Sequence, residues 1–220
     1  MEKFKNIISR ASGNIGITLT DHETDLLMKY YKELLLWNDK MSLVSIKSSL
    51  DIPKHFIDSL TVTKFIKNEN SKLLDIGTGA GLPGIPLKIK MESLRVTLLD
   101  SSRKKASFLK SVIRKLDLSN ISVVNGRAES LIHEENYKDS FDIVISRAAF
   151  KFPYFLLLGE HFLSDGGTLI AMKGKNADDE LEQAADTIKK SSLEFTRGYE
   201  IKLPITGESR KIFCFNKNLS

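Results

Sequence analysis

The stretch 72–90, KLLDIGTGAGLPGIPLKIK, carries the strongest structural signal in the chain. A short apolar run that contains Asp75 leads into four closely spaced glycines, Gly77, Gly79, Gly81 and Gly84. Apolar residues with helical spacing follow. Because glycine accepts positive φ and lets the backbone approach a ligand, we expect a buried strand, a glycine turn and a helix whose amino end points into a crevice. The stretch predicts a binding site for a small ligand.

Two classes of cofactor fit this glycine pattern. Gly79-x-Gly81-x-x-Gly84 satisfies the dinucleotide fingerprint, which is a weak signal when it stands alone. Asp75-x-Gly77-x-Gly79-x-Gly81 is the form seen in S-adenosylmethionine (SAM) methyltransferases, whose ligand has an amino-acid tail in place of a pyrophosphate. A carboxylate at the strand end can contact the ammonium of such a tail. The longer pattern favours SAM, and a nicotinamide or flavin cofactor remains the alternative.

Composition indicates a globular protein with a moderate basic excess. The 220 residues suit one large domain or a domain with a short extension, and a 41% hydrophobic share allows a real core. The net charge of +5 permits a polyanionic partner without requiring one. One cysteine excludes an internal disulfide framework, and the histidines lack paired ligand spacing, so no metal is expected. The start lacks a signal-peptide core and no long apolar run occurs, so we expect a cytoplasmic protein without membrane contact.

The chain is expected to divide into a helical extension, residues 1–68, and a main domain, residues 69–220. Thr20 and Glu23 form a capping box, and apolar residues then recur at steps of three and four as far as Trp37. This spacing predicts a helix with one apolar face.

A second helix of the extension is expected to begin near Ile52 or Pro53 and to end at about Lys67. His55 and Asp58 lie three residues apart on one face of it. They could act as a pair, although a hydrogen-bonded core histidine is the simpler interpretation.

Strands and helices alternate from residue 72 onward, which predicts a mostly parallel, doubly wound α/β sheet with helices on both faces. Strands are expected at 73–76, 94–100, 121–124, 141–146 and 168–172. Helices are expected after Gly84 and Ser102 and over 150–163 and 177–190, with a turn at Gly166–Gly167. Two final strands, 194–203 and 211–215, are expected to form an antiparallel terminal hairpin. This is the layout of class I SAM-dependent methyltransferases.

Candidate ligand contacts lie at the carboxyl ends of these strands, where ligands of doubly wound sheets gather. Asp100 ends the second strand about twenty residues after the glycine turn and is expected to accept hydrogen bonds from ribose hydroxyls. Backbone groups at Ala128 and Glu129 follow the third strand and are expected to contact an adenine edge. Arg147 follows the fourth strand and offers a planar fork of donors. A salt bridge or a helix cap is the alternative role for Arg147.

Other types of methyl transfer are not supported by the residues present. Amino methylation of adenine usually comes with an Asn or Asp-Pro-Pro-aromatic segment after the fourth strand, and here residues 146–149 read SRAA. Carbon-5 methylation of pyrimidines needs a cysteine nucleophile, but Cys214 lies in an apolar run and is expected in the core.

Six segments carry a more specific signal than the glycine turn alone. They are HFIDSL at 55–60, LLDIGTGAGLPGIPLKI at 73–89, VTLLDS at 96–101, NGRAES at 125–130, FDIVISRAAF at 141–150 and AMKG at 171–174. Together they resemble the bacterial 16S ribosomal RNA guanine-N7 methyltransferases once called glucose-inhibited division protein B. The resemblance covers nearly the whole chain.

This resemblance implies a cofactor and a set of contacts. SAM contacts are implied at Gly77, Leu82, Ala128, Glu129 and Arg147, and Asp75, Gly79 and Asp100 complete the expected cofactor site. The implied reaction is methylation of N7 of a guanine in 16S ribosomal RNA, either free or in a small-subunit particle. No catalytic base is expected, because N7 attacks with a free lone pair. A methyltransferase acting on a small molecule or a protein is the alternative, and the chain is expected to be a monomer.

RNA contacts are expected at the basic stretches of the chain, which are Arg103–Lys115, Arg127, Lys173, Lys175, Arg210 and Lys211. Arg147 and Lys173 are candidates to orient the guanine or a nearby phosphate. Phosphate contacts predict a strong dependence of binding on salt.

Overall fold

Seven strands form one sheet in the computed structural model, which describes residues 2–147 and 149–219. They are β1 (Lys72–Ile76), β2 (Arg95–Asp100), β3 (Ile121–Asn125), β4 (Phe141–Arg147), β5 (Leu163–Lys173), β6 (Leu193–Lys202) and β7 (Ser209–Lys217). Their order is β3-β2-β1-β4-β5-β7-β6. Strands β1 to β5 pair in parallel, whereas β7 is antiparallel to both β5 and β6. The predicted class I methyltransferase layout with its terminal hairpin is confirmed.

Helices cover both faces of this sheet. They are α1 (Glu2–Gly13), α2 (Asp21–Asn38), α3 (Asp51–Leu60), α4 (Gly84–Lys90), α5 (Arg103–Lys115), α6 (Ala128–Leu131), α7 (Phe152–Phe162), α8 (Ala177–Gln183) and α9 (Ala185–Lys190). Helices α1 to α5 pack on one face and α6 to α9 on the other. Within the described residues, no helix is both long and apolar enough to cross a membrane.

The central strands are buried on both faces, which explains their continuous apolar runs. In β4, Ile143 and Ile145 join the core beneath α1 to α5, whereas Val144 between them joins the core beneath α7. Leu73 and Leu74 of β1 divide between the two cores in the same way. Alternate side chains point to opposite sides of a strand, so one run of residues fills two cores.

Helices of the N-terminal extension share the first core with the main domain. Tyr30 of α2 and Phe56 of α3 are fully buried in one cluster with Ile85 of α4. The predicted capping box at the start of α2 is present, since Thr20 Oγ1 accepts from the Glu23 N–H at 3.1 Å and Glu23 Oε2 accepts from the Thr20 N–H at 2.7 Å. A division of the chain near residue 68 stays a prediction.

Three elements differ from their prediction by more than two residues at one end or by a break in the helix. Helix α3 ends at Leu60, where the Thr61 hydroxyl donates to the Asp58 carbonyl and a β-branched run follows; a short 3-10 turn, Thr63–Phe65, takes the place of the last helical turns. The helix expected over 177–190 divides at Ala184, and nothing in the local sequence explains the break.

The third difference concerns the glycine pair in β5. Residues 164–167 form a bulge within a longer strand, because Phe141 pairs with Leu163 and Ile143 already pairs with Thr168. Gly166 has a φ of +72° there, a conformation that glycine adopts without strain.

Candidate active site

A cleft of about 430 Å³ opens at the carboxyl ends of the parallel strands. It is lined by the ends of β1, β2 and β4, the start of α5 and the loop between β3 and α6. The order of the strands reverses between β1 and β4, and such a switch point is where doubly wound sheets bind ligands. The volume lies in the range of small-molecule sites, which is roughly 300–1,000 Å³.

The glycine turn forms one wall of this cleft. Gly77, Gly79 and Gly81 have φ angles of +69°, +60° and +87°, as the sequence predicted. A Cβ atom on Gly77 would lie 2.5 Å from Ala149 Cβ and 3.2 Å from Phe150 Cε2, so a side chain there would collide with the opposite wall. The Gly77 N–H donates to the Leu99 carbonyl at 2.9 Å, which ties the turn to the end of β2.

Asp75 stabilises the glycine turn from its buried side. Its carboxylate is fully buried, and Oδ2 accepts from Thr78 Oγ1 at 2.6 Å and from the Gly84 N–H at 2.9 Å. Burial raises the pKa of Asp75 to about 6. Oδ1 has no hydrogen-bond partner among the residues that the structure describes, and it is an acceptor that an ammonium would satisfy. Asp75 does not line the cleft, so its contact with the cofactor stays a prediction.

Gly84 has a packing role. A Cβ atom there would lie 2.9 Å from Asp75 Oδ2 and would also collide with the side chain of Leu98. Helix α4 can therefore pack closely on the sheet only with glycine at this position. This is the role of the third glycine of a dinucleotide fingerprint, and it explains why that pattern occurs in this sequence.

Asp100 lies on the cleft wall with its carboxylate fixed by backbone groups. Oδ2 accepts from the Gly79 N–H at 2.9 Å and Oδ1 accepts from the Ser102 N–H at 2.9 Å. Lys105 Nζ lies 3.9 Å from Oδ2. Each carboxylate oxygen offers two acceptor sites, so this carboxylate can still accept from a pair of hydroxyls. Its geometry fits the predicted ribose contact.

The loop after β3 approaches the same wall. The Gly126 N–H and Asn125 Nδ2 both donate to the Asp100 carbonyl, at 3.2 and 3.0 Å. This fixes the loop against the end of β2 and brings Ala128 and Glu129 to the cleft.

Arg147 reaches the cleft from β4 and contacts the N-terminal extension. Its Nη1 lies 3.1 Å from His55 Nδ1 and 3.3 Å from Asp58 Oδ2, both on α3. Asp58 Oδ2 also accepts from Arg210 Nε of β7 at 3.4 Å. The salt-bridge alternative considered for Arg147 is thus present, and Arg147 also lines the cleft.

The cleft brings together most, but not all, of the predicted cofactor residues. Gly77, Asp100, Ala128, Glu129 and Arg147 line it. The others lie behind the wall: Asp75 is buried beneath the turn, Gly79 donates to Asp100, and Leu82 is only 2% exposed within the core.

Some contributors to the site were not anticipated. Tyr30 of α2 donates from its hydroxyl to the Ala80 carbonyl and so tethers the glycine turn. Phe150 lines the cleft beside Gly77, and Lys105 lines it beside Asp100. The helical spacing around Tyr30 predicted a buried core residue, but it did not predict the hydrogen bond to the Ala80 carbonyl.

Comparison with known proteins places the chain in a family. Residues 23–204 match the family model for rRNA small subunit methyltransferase G. The chain is 43% identical to the ribosomal RNA small subunit methyltransferase G of Syntrophus aciditrophicus, over 97% of this chain and 90% of the relative. It is 38% identical to that of Acetivibrio thermocellus, over 98% and 89%. The chain belongs to the rRNA small subunit methyltransferase G family.

Membership confirms the predicted enzyme class and cofactor: this is a SAM-dependent methyltransferase of 16S ribosomal RNA that modifies guanine. Similar folds occur in solved structures of low identity. An O-methyltransferase from Bacillus cereus in complex with SAH has a TM-score of 0.65 at 18% identity, covering 96% of this chain and 97% of that one. M. jannaschii TYW2 in complex with AdoMet has a TM-score of 0.59 at 18% identity, covering 80% and 79%.

Cys214 is a core residue, as its apolar neighbours indicated. It lies in β7, is 7% exposed, and burial raises the pKa of its thiol to about 11. At neutral pH the thiol is protonated and is a poor nucleophile. We expect Cys214→Ser to keep methyl-transfer activity within about threefold, and the folded wild-type protein to resist iodoacetamide at pH 7.5. Loss of activity on alkylation, with the fold intact by circular dichroism, would contradict this role.

Proposed function

We propose that the chain transfers the SAM methyl group to N7 of a guanine in 16S ribosomal RNA. The observation that carries this proposal is the cleft itself, which presents a carboxylate, a guanidinium and a glycine wall from three neighbouring strand ends of a fold built for SAM. The choice of N7 is supported by the resemblance of the HFIDSL, GLPGIP and ISRA segments.

The residues of the cleft divide the contacts to the cofactor. Asp100 accepts from the ribose hydroxyls, and the loop at Ala128 and Glu129 borders the adenine. Arg147 donates to the carboxylate of the amino-acid tail, which is a charge-assisted and directional contact. Gly77 has no side chain and so leaves space for the amino-acid tail of SAM. Bound SAM supplies an electrophilic methyl group on a sulfonium centre.

No residue is needed as a general base. N7 of guanine has a free lone pair, so no proton leaves the nucleophile during methyl transfer. The protein lowers the barrier by holding the reactants in line, which can contribute on the order of 7 kcal/mol. Because N7 becomes cationic, a positive charge directed at N7 would oppose the reaction, which agrees with a contact between the Arg147 guanidinium and the cofactor tail.

Ion pairs divide the basic residues into two groups. Lys173 is buried and its Nζ pairs with Glu180 at 2.8 Å, Lys115 pairs with Glu33 at 2.6 Å, and Lys211 pairs with Asp178. Other cations are exposed and have no ion pair within the described residues, and they include Arg103, Lys104, Arg127 and Lys175. Arg127 lines the cleft, Lys104 is next in sequence to the cleft-lining Lys105, and Arg103 lies two residues after the cleft-lining Ser101.

These unpaired cations are the proposed phosphate contacts. They are few, so electrostatic binding to naked RNA through them alone is weak at physiological salt. We therefore assign an assembled or assembling small-subunit particle as the substrate, methylated by a monomer in the cytoplasm.

Removing two positive charges at the start of α5 tests whether these cations contact RNA phosphates. We expect Arg103→Gln with Lys104→Gln to weaken RNA binding about tenfold at 0.1 M salt and to reduce the slope of log K against log[salt] by about 2. The measurement is a salt titration of filter binding. Lys115→Gln, which removes a cation already paired with Glu33, is the matched control and should leave the slope within about 0.5. Equal slopes for both variants would refute the assignment.

The reaction itself is tested by nucleoside analysis. Tritiated SAM is incubated with naked 16S RNA and with small-subunit particles from cells lacking the enzyme, and the RNA is digested to nucleosides. We expect label in 7-methylguanosine, with a higher rate on the particle. Label in another nucleoside would refute N7, and turnover without RNA would favour a small-molecule or protein substrate.

A further inference from the structure

Two polar side chains of the N-terminal extension point at the guanidinium of Arg147. Helix α3 runs from Asp51 to Leu60 and carries His55 and Asp58 on one face. Arg147 Nη1 lies 3.1 Å from His55 Nδ1 and 3.3 Å from Asp58 Oδ2, so both hydrogens of this one nitrogen are engaged. Nε and Nη2 have no recorded partner within the described residues and remain available to a ligand in the cleft.

The protonation of His55 follows from this contact. A guanidinium has donors only, so Nδ1 of His55 accepts and the ring proton lies on Nε2. Burial, then the charges of Arg147 and Lys54, lower the pKa of His55 to about 4. The imidazole is therefore neutral at physiological pH and can act as an acceptor for Arg147 throughout the working range.

Asp58 is a buried carboxylate shared by two arginines. It is 2% exposed, and its Oδ2 accepts from Arg147 of β4 and from Arg210 of β7. Arg210 in turn pairs with Glu208 at 2.8 Å. A buried carboxylate needs such partners, because an unpaired charge in the interior is strongly unfavourable. The same carboxylate thus connects α3, the cofactor cleft and the terminal hairpin.

We propose that His55 and Asp58 are positioning residues for Arg147, which makes helix α3 a working part of the cofactor site. This rests on the proposed contact between Arg147 and SAM. Arginine has a long side chain with many rotamers, and ordering it during binding would weaken affinity. Because Nη1 is hydrogen-bonded to His55 and Asp58 of α3, Nε and Nη2 are positioned for the cofactor before it binds. The HFIDSL segment at 55–60 thereby gains a role in the cofactor site.

Removal of the His55 acceptor gives the first test. We expect His55→Leu to weaken SAM binding about tenfold by calorimetry, because Arg147 loses a contact that fixes its direction. His55→Asn keeps an acceptor near the position of Nδ1 and should stay within about threefold of wild type. Thermal denaturation accompanies each variant. Equal losses for Leu and Asn would overturn the proposal, since a packing role would not depend on the acceptor.

A double-mutant cycle separates this inference from the assignment of Arg147 itself. Arg147→Ala alone should weaken SAM binding, and adding His55→Leu should then cause no further loss, within about twofold. If Arg147→Ala leaves affinity unchanged, the proposed cofactor contact fails. If Arg147→Ala weakens binding but the two losses multiply, the contact stands and the positioning role is wrong.

Arg210 supplies the matched control for Asp58. Arg210→Gln removes one partner of the same carboxylate without touching Arg147, so stability should fall while SAM affinity stays within about twofold. Asp58→Asn should lower affinity about tenfold, because the neutral amide holds Arg147 less firmly. Equal effects of the two variants on affinity would show that Asp58 only joins α3 to the hairpin, and would overturn its positioning role.

Discussion

Gly77→Ala is expected to weaken SAM binding by at least about 100-fold. The added Cβ would lie 2.5 Å from Ala149 Cβ and 3.2 Å from Phe150 Cε2. Both neighbours line the cleft, so relieving the collision moves the cleft wall. The φ of +69° adds a backbone cost of about 1–2 kcal/mol for alanine.

Gly207 provides the matched control for this variant. It has the same φ of +69°, and a Cβ atom there would meet nothing within 4 Å. Gly207→Ala therefore carries the backbone cost alone and should lower the free energy of unfolding by about 1–2 kcal/mol without changing SAM affinity. Calorimetric titration and urea denaturation of both variants give the comparison. Similar SAM affinities for the two would show that space at Gly77 is not required by the cofactor.

Much of the fold was predictable because the signals are local. The strands β1 and β4 read as continuous apolar runs, and burial on both faces is the physical reason. The glycine turn was predictable because positive φ selects glycine. Asp100 was predictable because a parallel sheet brings its strand ends to one edge.

Contacts across the chain were not predictable. The sequence does not say which face of the sheet receives the N-terminal helices, so it could not place Tyr30 under Ala80 or His55 beside Arg147. The bulge at Gly166 depends on the register with β4, which local composition does not determine. Leu82 was predicted as a cofactor contact from its place in a motif, but its side chain lies in the core. A motif does not determine whether a side chain faces the cleft or the core.

The second large effect is expected at Asp100, where Asp100→Asn should weaken SAM binding by about 100-fold. The carboxylate accepts from the Gly79 and Ser102 N–H groups with different oxygens, each at 2.9 Å. An asparagine offers one oxygen and one NH2 group, so one of these N–H donors would face another donor. The ribose also loses its charged acceptor, because asparagine is neutral and keeps only one acceptor oxygen. Loss of the fixed turn and of the ribose contact would act together.

Asp142→Asn is the control that isolates this effect. Asp142 lies near the start of β4, at the amino ends of the parallel strands and therefore away from the cleft. Its Oδ2 accepts from the Lys72 N–H at 2.7 Å. The asparagine oxygen can keep that single bond, so affinity for SAM should stay within about twofold. A competition assay with 2′-deoxyadenosine and adenosine analogues then separates the two causes. If the Asp100 carboxylate binds the ribose, discrimination between the analogues should disappear in Asp100→Asn; if it serves only to fix Gly79, the discrimination should survive while both affinities fall.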